Sequence, residues 1–291
     1  MIREITARTL LSTIKQPDPW FGLKYNLNLY RGCQHQCIYC DSRSECYQIE
    51  NFSDILVKTN AIELLENELR HKRIKGTIGT GSMNDPYMPV EASRNLTGRA
   101  LQVIAARGFP AHIITKGTLV LRDLPILLDI QRSSGYAAVS FTITTADDAL
   151  GKQLEPGAPA VSERFSALQK LAEAGILTGI TMMPILPFIE DNQQNIRQIV
   201  EKAAACGAKY ILAGFGVTLR DRQREYFYDK LEIKFPGLKE KYQLAFGNRY
   251  SAPARNAKRL EAQFRELCAV HGIATRMPVY ESHEATQPQL L

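Results

Sequence analysis

A junction recurs along this 291-residue chain and narrows its folding options: a helical pattern ends in glycine, and an apolar, β-rich run follows within a few residues. It reads AARG, ending at Gly108, before AHIITKG; AEAG, ending at Gly175, before LTGITMMPIL; and AACG, ending at Gly207, before YILAGFG. Weaker copies are KRIKG at Gly76 before TIGTGS, RSSG at Gly135 before YAAVSFTI, and AVHG at Gly272 before IATRMPVY. Glycine tolerates the left-handed conformation just past a helix end, so each copy marks a helix-to-strand return. Strands that alternate with helices in this way argue for a parallel sheet. The strand candidates are apolar on most positions, as strands covered on both faces should be.

Six strands are expected, near 26–31, 77–82, 111–116, 137–143, 177–186 and 210–216, with a seventh candidate after Gly272. Between them, Asn60 with Glu63 resembles a capping pair ahead of the stripe Ile62, Leu65 and Leu69, and Ser162 precedes Phe165, Leu168 and Leu171 at helical spacing. The fold class expected is α/β, a partial (β/α)6 barrel of the TIM type with C-terminal helices closing its side. A doubly wound open sheet is the alternative; it is weakened because no G-x-G-x-x-G turn follows the first strand. The expected division is an N-terminal extension (1–25), a core barrel (26–216) and a C-terminal helical, basic segment packed on it (217–291), with a polar, frayed tail after about Glu281. At 45% hydrophobic residues the chain can bury a large core without disulfide staples. Met1 to Trp20 lacks the apolar stretch of a signal peptide, and no run has membrane-spanning length free of charge. A cytoplasmic protein with no membrane partner is expected; the sequence is silent on oligomeric state.

Of six cysteines, three cluster in YRGCQHQCIYCD as Cys33, Cys37 and Cys40, a C-x3-C-x2-C loop directly after the first strand. In a large cytosolic chain such clustering reads as metal or redox chemistry rather than a disulfide framework. Iron–sulfur clusters are held by thiolates, and a cubane takes four ligands. Three thiolates leave one iron open, free to chelate the amino and carboxylate groups of S-adenosylmethionine (SAM). A structural zinc site is the competing reading, and it needs four donors, with Cys46 or His35 completing the set. His35 is expected to be a solvated loop residue and Cys46 a buried small apolar one. Cys206 and Cys268 lack neighbours suited to a second cluster.

C-x3-C-x-aromatic-C after strand one of an α/β barrel, with Tyr39 as the aromatic residue, resembles the radical SAM superfamily. The resemblance implies a [4Fe–4S] cluster on Cys33, Cys37 and Cys40, SAM as co-substrate, and a reductant such as flavodoxin or ferredoxin. It places Tyr39 near the SAM adenine, a role compatible with packing the loop. TGSMNDPYMPVE (80–91), HIITKG (112–117), FTITT (141–145), LEPGAP (154–159) and ITMMPILP (180–187) together resemble the spore photoproduct lyase-like branch, from about Leu27 to Gly216. That branch implies SAM contacts from Asn84, from Lys116 near the carboxylate, from Thr142 near the ribose or amino-acid part, and from the Met183 backbone beside the adenine. Plain strand packing is an equal alternative for Thr142 and Met183. A lysine ending an apolar strand, by contrast, would otherwise face an apolar layer. Asp85 is expected to cap the turn of Asn-Asp-Pro.

Two departures stand out. Spore photoproduct lyases place a hydrogen-donating cysteine just after strand two, where this chain has Ser82, and a tyrosine after the third cluster cysteine, where it has Asp41. A hydroxyl O–H is too strong a bond to replace a thiol as hydrogen donor, so thymine-dimer repair by that route is in doubt and no catalytic hydrogen donor is assigned. The net charge of +6 and the Arg-, Lys- and Tyr-rich run VTLRDRQREYFYDKLEIKFPGLKEKYQLAFGNRYSAPARNAKRL suit either nucleic-acid contacts or a solvated helical face. The expected function is therefore a radical SAM enzyme, of lyase or oxidoreductase type, abstracting hydrogen from a substrate that includes DNA or RNA among its candidates. The alternatives are radical modification of a protein, peptide or small metabolite, and a zinc-bearing nucleic-acid-binding module without catalysis.

Overall fold

The computed structural model describes residues 1–16 and 18–281; the tail expected to fray after Glu281 lies outside the described residues. The chain begins with β1 (Ile2–Ile5), β2 (Leu11–Thr13), β3 (Tyr25–Leu27), β4 (Tyr30–Arg31) and β5 (Ile55–Lys58), then α1 (Ala61–Arg70). Strand and helix then alternate. β6 (Ile78–Thr80) leads to α2 (Glu91–Arg94) and α3 (Leu96–Ala106), and β7 (Ala111–Thr115) to α4 (Leu124–Ser134). β8 (Ala137–Thr142) leads to α5 (Asp148–Leu154) and α6 (Val161–Glu173), β9 (Leu177–Met182) to α7 (Gln193–Ala205), and β10 (Tyr210–Ala213) completes the series. The C-terminal part contains β11 (Gly216–Thr218), α8 (Asp221–Lys234), α9 (Leu238–Phe246), β12 (Ser251–Pro253) and α10 (Ala257–Val270).

The main sheet runs β10-β9-β8-β7-β6-β3-β2. All pairings from β3 to β10 are parallel, and β2 adds antiparallel to β3. Spatial order follows chain order throughout the parallel part, whereas a doubly wound sheet reverses at a switch point. The architecture is thus a singly wound, open barrel, the partial barrel expected. Apolar residues of α3, α4, α6 and α7 cover the outside of the sheet in one continuous core.

Several local expectations fail. The strand expected at 26–31 splits: Tyr25–Leu27 stays in the main sheet, while Tyr30–Arg31 joins β5 in a small sheet with β1. The run 177–186 leaves the sheet at Met182, before a cis Met183–Pro184 bond. Among the described residues after Gly272, only a single bridge forms, Ala274 to Tyr210. Asn60 does not cap α1 with its side chain; its carboxamide instead pairs with both backbone groups of Ala7. Ser162 lies inside α6, where its hydroxyl donates to Asp148.

Residues two apart on a strand share a face, and the inward positions form layers. A lower layer joins His112, Ser140 and Tyr210: His112 Nε2 lies 2.8 Å from Ser140 Oγ, which lies 2.6 Å from the Tyr210 hydroxyl. Gly179 makes room for the Tyr210 ring, because a Cβ there would overlap it. Two residues further up β8 and β9, Thr142 and Thr181 stand on the wall of the site at the strand ends.

Candidate active site

The C-terminal ends of β6 to β10 surround a cavity of about 550 Å³. Functional sites of parallel barrels form at this end because the strand-to-helix loops converge there. Cys33, Cys37 and Cys40 all line the cavity, together with Tyr39, Asn84, Lys116, Thr142 and Met183. Every residue singled out from the sequence as a ligand or SAM contact therefore borders one space.

The cysteine loop is held in place by backbone as much as by side chains. Gly32, at φ +79°, turns the chain into it, and a Cβ there would overlap the Asp54 carbonyl. The 154–157 segment straps the loop from the far side. Ile38 N donates to Leu154 O at 2.9 Å, and Gly157 N donates to His35 O at 2.9 Å. Gly157 is a point of close approach, since a Cβ there would overlap the Gln34 carbonyl. The C-terminal helices cap the same loop: Phe227, Leu231, Tyr242 and Phe246 pack in one apolar cluster with Ile38, Tyr39 and Leu154.

His35 is not solvated, as its polar neighbours suggest, but 2% exposed. Its Nδ1 is 3.0 Å from Gly157 O, and its Nε2 stands 3.1 Å from Asp85 Oδ2, within ion-pair range though off line for a hydrogen bond. Asp85 does cap its turn, accepting from Tyr87 N at 2.9 Å, but it also accepts from Thr115 Oγ1 and Lys116 N, each at 2.6 Å. Burial alone would raise the Asp85 carboxyl; His35 and these donors hold it well below the usual carboxylate range. One carboxylate thus joins the cysteine loop to the ends of β6 and β7.

A second buried network flanks the loop. Glu155, which lies in LEPGAP but had no assigned role, is 2% exposed. It accepts from the Tyr39 hydroxyl and pairs with the buried Arg164, while Lys116 Nζ lies 3.6 Å away. Burial opposes the Glu155 charge, but Arg164 and Lys116 outweigh it and hold the carboxyl below its ordinary range. For Lys116, burial is likewise outweighed, by Cys37 and Glu155, so its ammonium is held charged. Thr142 Oγ1 and Thr181 Oγ1 lie 2.9 Å apart, both on the cavity wall. Asn84 Nδ2 donates to Tyr30 O at 2.6 Å. Sequence pattern could have flagged Arg164, a charged residue at an apolar helix position; nothing local marked its partner Glu155.

All six cysteines are unbridged. Burial pushes the Cys33 thiol up to about 12 and raises Cys37 and Cys40 as well. A bound metal centre lowers such thiols to thiolates, and three thiolates are the ligand type an iron–sulfur cluster takes. Among the described residues, no three His, Cys, Asp or Glu side chains gather closely enough for a single metal ion. The zinc-module alternative therefore receives no support. Cys46 is exposed rather than buried, and its Sγ accepts from Arg220 at 3.3 Å. Asp41 borders the cavity and binds the Tyr47 hydroxyl, Thr218 and Arg220; Ser82 borders it too, with Oγ 3.1 Å from Asn26 Oδ1. Among the described residues no helix is long and apolar enough to cross a membrane.

Known proteins share the sequence pattern and the fold. An uncharacterized protein of Mycobacterium tuberculosis is 29% identical over 259 residues, 86% of this chain and 75% of that one. An uncharacterized protein of Methanocaldococcus jannaschii is 35% identical over 193 residues, 65% of this chain and 70% of that one. Spore photoproduct lyase with bound AdoMet and dinucleoside spore photoproduct shares the fold, with a TM-score of 0.69 at 18% identity, covering 94% of this chain and 80% of that chain. The Radical SAM superfamily description matches residues 27–203. The chain therefore belongs to the radical SAM superfamily, whose members bind SAM at a [4Fe–4S] cluster.

Proposed function

We propose that this radical SAM enzyme abstracts a hydrogen atom from a substrate seated over the C-terminal mouth of the open barrel. The observation that carries the reading is the convergence of three unbridged thiols, those of Cys33 and Cys37 buried and that of Cys40 half-buried, with Lys116, Asn84, Thr142 and Met183 on one cavity. Cys33, Cys37 and Cys40 hold the cluster, and Tyr39, Asn84, Lys116, Thr142 and the Met183 backbone seat SAM. When bound and reduced, the cluster supplies an electron to the SAM sulfonium, which yields methionine and a 5′-deoxyadenosyl radical. The protein's part is orientation and exclusion of water. The Lys116 ammonium, fixed by Glu155, offers a counter-charge for the SAM carboxylate. Tyr39, held by its hydroxyl, and the apolar walls of Phe21, Ile114 and Val217 keep the space dry.

The core is residues 26–216, with 1–25 as an extension and 217–291 as the closing segment. A flavodoxin- or ferredoxin-like protein is the reductant, and the reducing cytoplasm suits the free thiols. The dinucleoside bound by spore photoproduct lyase favours a nucleic-acid substrate, DNA or RNA, on the shared fold. Ser82, at the cavity where that branch carries its hydrogen-donor cysteine, favours a second reading, radical modification of a protein, peptide or small metabolite.

Anaerobic reconstitution followed by dithionite and SAM tests the proposal. 5′-Deoxyadenosine is expected from the wild-type protein and not from Cys37→Ala. Reconstituted protein that carries the cluster yet makes none overturns the reading.

A further inference from the structure

Behind the Met83–Asn84 turn lies a second recess, of about 350 Å³, which shares both of those residues with the main cavity. Arg8, Arg31 and Lys58 line it, and none of the three is paired with a carboxylate among the described residues. Arg31 donates only through Nη2, to the carbonyls of Tyr47 and Gln48, which leaves the rest of its fork available. Lys58 Nζ donates to the Asn28 carbonyl at 2.6 Å, leaving two ammonium protons over. Arg8 is exposed and has no partner among the described residues. Asn28 Oδ1 is buried in the same recess without a donor. Burial and the charge of Arg31 both pull Lys58 below its ordinary range. Glu68, whose charge opposes that effect, is engaged by the amides of Leu10 and Leu11.

The basic C-terminal run differs from this recess. There Arg220 pairs with Asp41, Arg255 with Asp191, and Arg224 is tied to the carbonyls of Leu219, Asn248 and Arg249. Those arginines hold the closing segment in place. The unmatched positive charge beside the active site is at the opposite end of the sequence. Three cations facing one small recess would repel one another unless an anion sits among them. A carboxylate brings one charge, whereas a phosphate monoester brings about −1.5 to −2 and three strong acceptor oxygens. Arginine forks match phosphate bidentately, and lysine adds a point charge.

We infer that the recess framed by Arg8, Arg31 and Lys58 is a phosphate subsite, which anchors a phosphoryl or phosphodiester group of the substrate while its reacting part enters the main cavity past Met83 and Asn84. The inference rests on the radical SAM reading for its functional meaning, but binding can be measured without turnover. Isothermal titration of reconstituted protein uses three probes: inorganic phosphate, an unphosphorylated single-stranded DNA octamer, and the same octamer with a 5′-phosphate. Binding of one or more is expected, weakened about tenfold by Arg8→Gln or Lys58→Met and unchanged by Lys170→Gln on the outside of α6. Equal binding of the two octamers identifies a backbone diester as the ligand; preference for the 5′-phosphorylated one, alongside inorganic phosphate, identifies a terminal monoester. For an octamer, the dependence of log affinity on log salt is expected to flatten by roughly 0.7 for each contact removed. Arg8 is exposed and makes no contact the fold needs, so its variant stays folded even where Lys58→Met does not. Absence of binding by all three probes, or binding indifferent to Arg8→Gln and Lys58→Met, overturns the subsite. Iron and sulfide content and 5′-deoxyadenosine formation, measured on the same samples, report separately on the radical SAM reading.

Discussion

Asp85 is a single buried carboxylate that serves three elements. Asp85→Asn preserves shape but leaves one acceptor oxygen where there were two. If the carbonyl keeps Tyr87 N and Thr115 Oγ1, the new NH2 group faces the Lys116 N–H, a donor set against a donor. A buried hydrogen bond to a charged group is worth about 1.5–3 kcal/mol, and a buried donor left without an acceptor costs about 1–3 kcal/mol. These overlapping terms give a net destabilisation of about 3–5 kcal/mol on the same basis. Urea unfolding of the metal-free protein reads the change through its midpoint, provided the slope is unchanged. Asp148→Asn is the control: that carboxylate is exposed and caps α6 through Ser162, so about 1 kcal/mol or less is expected. Iron uptake should fall with Asp85→Asn, since His35 and the cysteine loop lose an anchor. If Asp85→Asn unfolds within about 0.5 kcal/mol of wild type, the range of a neutral surface change, and retains full iron, the reasoning about this anchor is wrong.

Other consequences follow from single residues. Glu155→Gln leaves Arg164 and Lys116 buried without their carboxylate, at a cost of about 3–5 kcal/mol, read as a lowered urea midpoint; a loss below about 1 kcal/mol shows that the pair is solvated. His112 is held neutral in the barrel interior, where burial lowers it to about 3. Between that value and an unfolded value of about 6.5, the unfolded chain binds a proton that the folded chain refuses. Stability should therefore fall as pH drops through this window, by up to about 1.4 kcal/mol per unit from this group. His112→Phe should remove that slope, and an unchanged slope in urea titrations from pH 7 to 4 refutes the assignment. Gly157→Ala sets a methyl group against the Gln34 carbonyl; far-ultraviolet circular dichroism should stay native while iron uptake drops, and normal uptake shows that the strap yields without consequence.

The partial barrel was legible because its signal is repeated. Each helix–glycine–strand junction reports on local backbone chemistry, and six copies outweigh an error in any one. The cysteine loop was legible because its spacing carries chemistry without tertiary context. What failed depended on distant partners. His35 sits between Gln34 and Gln36 and reads as a wet loop; its burial comes from Gly157, 122 residues away. Glu155 looks like an exposed helix end until Arg164, Tyr39 and Lys116 close around it. Cys46 reads as a small apolar residue, but the short turns after the cysteine loop leave it at the surface beside Arg220. The capping pair at Asn60 was lost to Ala7, a residue of the N-terminal segment that the α1 pattern could not report. The basic C-terminal run stayed open between two readings, since charge in sequence does not show which charges are already paired.

The most direct test of the central claim is the low-temperature electron paramagnetic resonance spectrum of anaerobically reconstituted, dithionite-reduced protein, before and after SAM is added. A cluster on Cys33, Cys37 and Cys40 with one iron open should give a reduced-cluster signal that changes shape when SAM binds that iron, and Lys116→Met should require more SAM for the same change. A reduced cluster whose spectrum is indifferent to saturating SAM, or a folded protein that takes up zinc and no iron, contradicts the account.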